Sequence, residues 1–307
     1  LRLCEPGVTQ GCQVQQLVEL VAVKRSMLGG ALHLDEATVA RLNDVHVGFG
    51  AHVLDWQPNS DHPLLWLSPR AVTDGTAPIR GGIPVCAPWF AAPDQSPAMP
   101  PPGAPAHGLA RTRRWELEER APQSLTYSFT HRRADDDGVF PHDFTARVVI
   151  QGSEELTVAL TLVNDDDHPF AVEAALHAYL AVGDVKDITI DGLDGAPYYD
   201  AAKGRNAVQK GALSLVGPTD RIYVSTSPIH VMDPRWGRRI TVDKSGSGTT
   251  VVWNPWREGA ARIADMGDDD WQRFVCVETA NARQRAITLW PGHPRRLTAT
   301  YGMDQMD

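Results

Sequence analysis

From residue 113 to the end, apolar and polar residues alternate in short runs separated by turn-forming words. RRWELEER (113–120), QSLTYSFTH (123–131), DFTARVVIQ (143–151) and EELTVALTLVND (154–165) set apolar side chains at every second position. That is the period of a strand with one face on a core and the other in water. Acidic runs at 135–137, 165–167 and 268–270 fall at turns and are read as solvated carboxylates rather than as metal sites. ITIDGL, TDRIYVST, RRITVD, TTVVWNPW, RFVCVETA, RAITLWPG and RRLTATYG continue the series. FAVEAALHAYLAVGDV (170–185) holds a helix-favouring Glu-Ala-Ala-Leu. Its tyrosine, its valines and its Gly-Asp stop suit a strand, as do its neighbours, so a strand is predicted.

Upstream the pattern is more mixed. LVELVAV (17–23) is apolar and of strand length, and DEATVARL (35–42) predicts a short helix capped by Asp35. VHVGFGAHVLDWQP (45–58) predicts a strand bent or bulged at Gly48 and Gly50, and PLLWLSPRA follows at 63–71. No alternation of strands with helices appears, which argues against a parallel sheet. The expectation is all-β: one large antiparallel β-sandwich with few short helices, a single domain over residues 1–307. Residues 93–105 interrupt the pattern with six prolines and a glycine, which no ladder can run through. They predict a long surface loop, either a functional lid or rim or a variable insertion.

Composition narrows the partners. Thirty-eight acidic residues against 29 basic ones give a net charge of −9, which argues against nucleic acid or an anionic membrane. No apolar run approaches the ~20 residues of a membrane span. No basic start followed by an apolar stretch marks a secretion signal. Of four cysteines, Cys4 and Cys12 lie in a polar stretch, while Cys86 and Cys276 sit in apolar runs; no CxxC pair exists, so a structural zinc site is not expected. These features predict a soluble protein in a reducing, cytoplasmic setting.

Candidate chemistry gathers in a few words. IRGGIP (79–84) and HGLAR (107–111) place Arg80, His107 and Arg111 beside glycines that permit sharp turns. Two guanidinium forks and an imidazole suit an anion; the alternative is ordinary surface or packing arginines. His177 lies among apolar neighbours, either as a core histidine or as a general acid. Glu278 lies in an apolar strand, where a carboxylate is costly unless it is functional or paired with an arginine. Desolvation would raise Glu278 toward a base useful at neutral pH and tune His177 as the acid. Asp220 could bind a sugar hydroxyl or cap a turn, and His107 could bond a substrate oxygen. Trp89, Trp253, Trp256 and Trp271 offer faces for a pyranose or fill the core. A metal held by His107, His177 and Glu278 is allowed by residue type but not supported by spacing. No dinucleotide fingerprint, P-loop, nucleophile elbow or zinc-protease helix is present.

Taken together, IRGGIPVCAPWF (79–90), HGLARTRRWEL (107–117), LHAYLAVGDV (176–185), TDRIY (219–223) and FVCVETA (274–280) resemble, in order, the words of the glucose-6-phosphate 1-epimerase family. These hexose-6-phosphate mutarotases lie within the galactose mutarotase-like superfamily. GAHVLDWQP (50–58) and VVWNPW (251–256) also fit, and the words span most of the chain. The resemblance implies a large antiparallel β-sandwich and cofactor-independent exchange of the anomers of a hexose 6-phosphate, glucose 6-phosphate first. It implies that His177 is the general acid and Glu278 the general base, expected on opposite sides of the sugar ring. It further implies that Arg80 and Arg111 hold the phosphorylated substrate and that Asp220 binds it. No cofactor or metal is implied, and a monomer is expected. The sequence departs from the pattern at Ala106, where some members carry Gln, and in the longer proline-rich loop. The alternatives are a mutarotase for unphosphorylated aldoses, a non-catalytic carbohydrate-binding sandwich, and a structural or regulatory protein on the same fold.

Overall fold

Two large antiparallel sheets organise the protein. The structure, a computed structural model, describes residues 21–24, 48–57, 62–135 and 139–306. The nine-stranded sheet runs, in spatial order, through Thr189–Asp191, Ile229–Asp233, Arg238–Ser245, Arg295–Gln305, Leu156–Asn164, Phe144–Gly152, Ser124–His131, Arg114–Ala121 and Gly48–Phe49. The eight-stranded sheet runs through Arg205–Val208, Pro197–Asp200, Thr219–Val224, Thr249–Asn254, Phe274–Asn281, Ala174–Leu176 and Val85–Cys86, with Tyr179–Ala181 also paired to Phe274–Asn281.

The alternation read from the sequence produces the first sheet. In Phe144–Gly152, Phe144, Ala146, Val148 and Ile150 are buried while Arg147 and Gln151 are exposed. The strand pairs with Leu156–Asn164 from Phe144↔Asn164 to Gly152↔Leu156, so their apolar faces coincide. Val148, Leu160, Ile240 and Tyr301 from this sheet join one core cluster with Tyr223, Val252 and Val277 from the other. Phe274–Asn281 does not alternate because it lies in the middle of the second sheet, buried at every position. Ile222, Val251 and Ala280 form a smaller cluster with Cys86, Phe90 and Ala175.

Several expectations shift. The bend in 45–58 falls at Gly50 and Ala51, between strands Gly48–Phe49 and Val53–Gln57. The helix predicted at 35–42 lies outside the described residues, as does 17–20 of the first apolar run; Val21–Lys24 is a strand paired in parallel with Val53–Gln57. TTVVWNPW stops as a strand at Asn254, and a five-residue helix, α1 (Trp256–Ala260), follows Pro255. The run 170–185 is three short strands, Phe170–Val172, Ala174–Leu176 and Tyr179–Ala181, and His177 lies in a gap rather than on a strand. The hairpin Pro197–Asp200/Arg205–Val208 carries little apolar period, because its second strand is an exposed sheet edge.

Candidate active site

Register brings the expected acid and base together. Leu176 pairs with Thr279 and Tyr179 with Cys276, which leaves His177 directly opposite Glu278. The ladder opens at this point because the His177 N–H donates to Pro84 O at 3.0 Å, outside the pair of strands. His177 Nε2 stands 3.4 Å from Glu278 Oε1, with the two side chains 8% and 1% exposed. The buried arginine partner weighed for Glu278 is not there; among the described residues its ion-pair partner is His177.

The same face gathers the remaining chemistry. Cross-strand pairing links Asp220 to Trp253 and Trp253 to Cys276, and Cys276 in turn to Tyr179. Cys276 lies two residues from Glu278 and Tyr179 two from His177, so all share one side of the sheet. Tyr179 stacks on the His177 ring at 4.9 Å and 13°, fixing its plane. Trp253 meets His177 edge-on at 6.2 Å. Of the four tryptophans singled out, Trp89 and Trp271 are core residues, and Trp256 packs on Trp271.

Loops from the N-terminal third close over this face. Gly81, at φ 116°, passes so close to the neighbouring chain that a Cβ would lie 2.4 Å from Trp66 O. Gly108, at φ 77°, leaves 2.1 Å between a Cβ and Ala87 O. No other residue fits either turn. Between them the turns aim Arg80, His107 and Arg111. Arg80 Nε donates to Asp265 Oδ1 at 3.1 Å, and its Nη1 donates to the Tyr179 hydroxyl at 3.1 Å. Arg111 Nη2 donates to Ala106 O at 3.0 Å, and its Nε is buried without a partner. His107 adopts φ 65°, a strained conformation for a non-glycine residue, and its Nδ1 accepts the Ala91 N–H at 3.4 Å. Its ring lies 5.4 Å from that of His177. Asp220 is half-buried, further along the face.

Electrostatics polarise the central pair. Burial, reinforced by Arg111 and Arg80, lowers His177 to about 3. Burial, reinforced by the charge of Asp220, pushes Glu278 well above the usual carboxylate range. Burial therefore favours the proton on Glu278 and a neutral His177. His107 is held well below the usual histidine range by burial and then by Arg111. Burial also raises Asp220. Two buried atoms, His177 Nδ1 and Glu278 Oε2, have no hydrogen-bond partner, so the pair has unused capacity at its centre. His177, Cys276 and Glu278 bring three ligand-type atoms within 4.8 Å. Burial pushes the Cys276 thiol well up, against the thiolate a metal requires.

Sequence reasoning missed four residues here. His52 Nε2 bonds Gly81 O at 2.7 Å and buttresses the Arg80 turn. Tyr179 was legible from its spacing to His177, and His52 from the word GAHVLDWQP. Asp265 had no signal beyond lying in a loop. Glu173, fully buried, accepts the N–H groups of Phe90 (3.0 Å) and Arg283 (2.6 Å) and the Ser96 hydroxyl (2.5 Å). Arg283 in turn donates to Gln95 O and Oε1. The proline-rich loop is thus anchored at its start, and Trp89 Nε1 anchors its end through Pro105 O at 2.8 Å. Beyond Asp220 a cavity of about 570 Å³ extends along the same face, lined by Ile222, Tyr199, Gln95 and Arg283 among others.

Known proteins share this architecture. A crystal structure of a Salmonella typhimurium protein provisionally named a mutarotase has a TM-score of 0.75 at 30% identity, covering 84% of this chain and 85% of that one. A Lactobacillus acidophilus galactose mutarotase related enzyme has a TM-score of 0.67 at 14% identity, covering 84% and 93%, a likeness of fold alone. The fold is that of the galactose mutarotase-like proteins. Curated relatives include an Escherichia coli K12 protein, 33% identical over 253 residues (80% of this chain, 82% of the relative). Another, from Cenchrus ciliaris, is 31% identical over 263 residues (81% and 77%). Both bear the provisional name glucose-6-phosphate 1-epimerase. The sequence model of the aldose 1-epimerase family matches residues 40–302. The chain belongs to the aldose 1-epimerase family. Among the described residues no helix is long and apolar enough to cross a membrane.

Proposed function

We propose that the protein interconverts the α and β anomers of a hexose 6-phosphate, glucose 6-phosphate first, with Glu278 as base and His177 as acid. The observation that carries this reading is the 3.4 Å contact between His177 Nε2 and Glu278 Oε1, two buried groups whose proton affinities burial shifts in opposite directions. C1 of an aldopyranose bears both O1 and the ring oxygen O5. Two oxygens on one carbon are close neighbours, so an acid and a base only 3.4 Å apart can each reach one of them. In this reading the two groups do not flank opposite sides of the ring. Both come from one wall and address one edge of the sugar.

For ring opening the proton first passes from Glu278 to His177 across their 3.4 Å contact, which leaves Glu278 ionised as base and His177 protonated as acid. Glu278 takes the O1 proton, C1=O1 forms, the C1–O5 bond breaks, and His177 delivers its proton to O5. The pair is then Glu278 protonated and His177 neutral, the form that burial favours. Rotation about C1–C2 turns the other aldehyde face to O5. Closure runs the transfers in reverse: His177 takes the O5 proton and Glu278 returns one to O1. The proton count of the pair is the same before and after, so no proton is drawn from solvent. Such assistance is worth roughly 10²–10⁴-fold.

Arg80 and Arg111 supply the phosphate anchor in this reading. Both charges act on His107 and His177, so both stand near the site. Asp265 and Tyr179 hold two nitrogens of the Arg80 fork and so fix its direction. Asp220 and His107 offer an acceptor and a donor to sugar hydroxyls. Arg80→Ala is expected to raise KM for glucose 6-phosphate at least tenfold while changing KM for free glucose little, since a lost charge-assisted contact costs roughly 1.5–3 kcal/mol. Equal changes for both sugars would remove the phosphate role.

Anomer exchange across a panel of free and phosphorylated hexoses, followed by NMR, tests the function. Faster exchange of the phosphorylated sugars is expected. Faster exchange of the free sugars would make the protein an aldose mutarotase instead, and binding without any acceleration would make it a carbohydrate-binding sandwich.

A further inference from the structure

Strands Phe144–Gly152 and Leu156–Asn164 end together at the pair Phe144↔Asn164. The segments that run off this end carry His142, Asp166 and His168, none of which belongs to the His177–Glu278 site. One ligand-type atom from each lies within 4.8 Å of the others. His142 Nδ1 is 3.0 Å and His168 Nε2 is 3.9 Å from the same atom, Asp166 Oδ2. Zinc bonds nitrogen and oxygen at about 2.0–2.1 Å, so neighbouring ligands of a tetrahedral ion stand roughly 3.3 Å apart. The two distances bracket that spacing. We propose that His142, Asp166 and His168 hold a divalent cation of the zinc class.

Each ligand is aimed by a second contact. The Asp166 side chain is 1% exposed, and its other oxygen, Oδ1, accepts Arg133 Nη1 at 3.1 Å and the Asp143 N–H at 3.3 Å. That leaves Oδ2 as the corner turned to both histidines. The His142 ring lies flat on Phe170, with centroids 4.1 Å apart and planes within 4°. His168 Nδ1 is 2.7 Å from Asp167 Oδ1. A nitrogen that donates to a carboxylate leaves the lone pair on the other nitrogen, the orientation found in carboxylate–histidine–zinc triads. His168 Nε2 then opposes Asp166 Oδ2 acceptor to acceptor, an arrangement that calls for a cation between them.

Charge and ligand type agree. Asp143, Asp165, Asp166 and Asp167 bring four carboxylates to this corner, against the two guanidiniums of Arg132 and Arg133 that pair with them. Two imidazoles and one carboxylate are zinc ligands rather than magnesium or calcium ligands, which are all oxygen. His168 is half-exposed, so solvent can complete the shell and the ion can enter. Bound there, the cation fastens the 165–168 turn to the segment before Phe144, a structural role apart from catalysis.

The rival to a metal is a protonated His168 paired with Asp166, and zinc titration of the chelator-treated full chain separates the two. Calorimetry with zinc chloride at neutral pH, alongside thermal unfolding, is expected to show saturable binding and a higher Tm. The double variant His142→Ala/His168→Ala should weaken that binding at least 100-fold and lose the zinc-dependent rise in Tm. Asp167→Asn keeps all three ligands and should weaken it about tenfold through the lost orientation of His168. It remains informative if the double variant fails to fold. Absence of zinc binding by the parent protein, or binding unchanged in the double variant or in Asp167→Asn, overturns the site.

Discussion

Glu278→Gln is expected to slow anomer exchange of glucose 6-phosphate by about 10²–10⁴-fold and to raise the melting temperature at neutral pH. The first effect follows because the amide cannot take the O1 proton. The second follows from what burial does to the carboxyl. Its folded-state pKa lies well above the unfolded value. Between the two values the folded protein keeps the proton that the unfolded chain gives up. Stability contributed by this group is full below the unfolded value, about 4.3, and is lost as pH rises toward the folded one. Glutamine has no proton to lose, so the gain in Tm should be present at neutral pH and vanish below about pH 4. Thermal scans at the two pH values, with NMR exchange rates on the same preparations, check both halves. His177→Asn should show the same loss of rate. Full activity in both variants would remove the acid–base assignment.

Glu173→Ala is expected to be the most damaging substitution for stability, on the order of 3 kcal/mol or more. The carboxylate is fully buried and receives three donors from three separate stretches, at Phe90, Ser96 and Arg283. Removing it leaves two backbone N–H groups and a hydroxyl without their acceptor in a dry site, each costing about 1–3 kcal/mol. Arg283 is held at φ 56°, a strained conformation that its N–H bond to Glu173 helps to fix. Denaturant unfolding measures the loss. Faster proteolytic cleavage near Met99, which is 79% exposed, is the accompanying sign that the proline-rich loop has come free. A change below 1 kcal/mol would show that the three donors find other partners.

The nine-stranded sheet was legible because its strands keep one wet face, as Phe144–Gly152 does with Arg147 and Gln151 outward. Phe274–Asn281 was legible for the opposite reason: an unbroken apolar run with one carboxylate in it signals a central strand that carries something costly. The break at His177 was not legible. It comes from a hydrogen bond to Pro84, more than 90 residues away in sequence, which no local pattern encodes. The register that sets His177 against Glu278 is hidden for the same reason, although the two residues themselves stood out. Glu173 looked like an ordinary helix former in Glu-Ala-Ala-Leu, because its partners lie in the loop at 90–96 and at Arg283. Asp265 gains meaning only from Arg80, from which it is remote in sequence. The short exposed strand Arg205–Val208 lacked a period because it has no buried face to require one.

The anchoring of the proline-rich loop at both ends separates its length from its attachment. Glu173 holds the chain at Ser96 and Trp89 holds it at Pro105, so the path on either side does not depend on how many residues lie between. Lengthening a tethered loop costs little, about 0.6 kcal/mol per doubling. The exposed Pro102 and Gly103, between the two anchors, are therefore a natural graft point: segments of different size or charge can be inserted there to screen for altered sugar preference, leaving the sheet that carries His177 and Glu278 untouched.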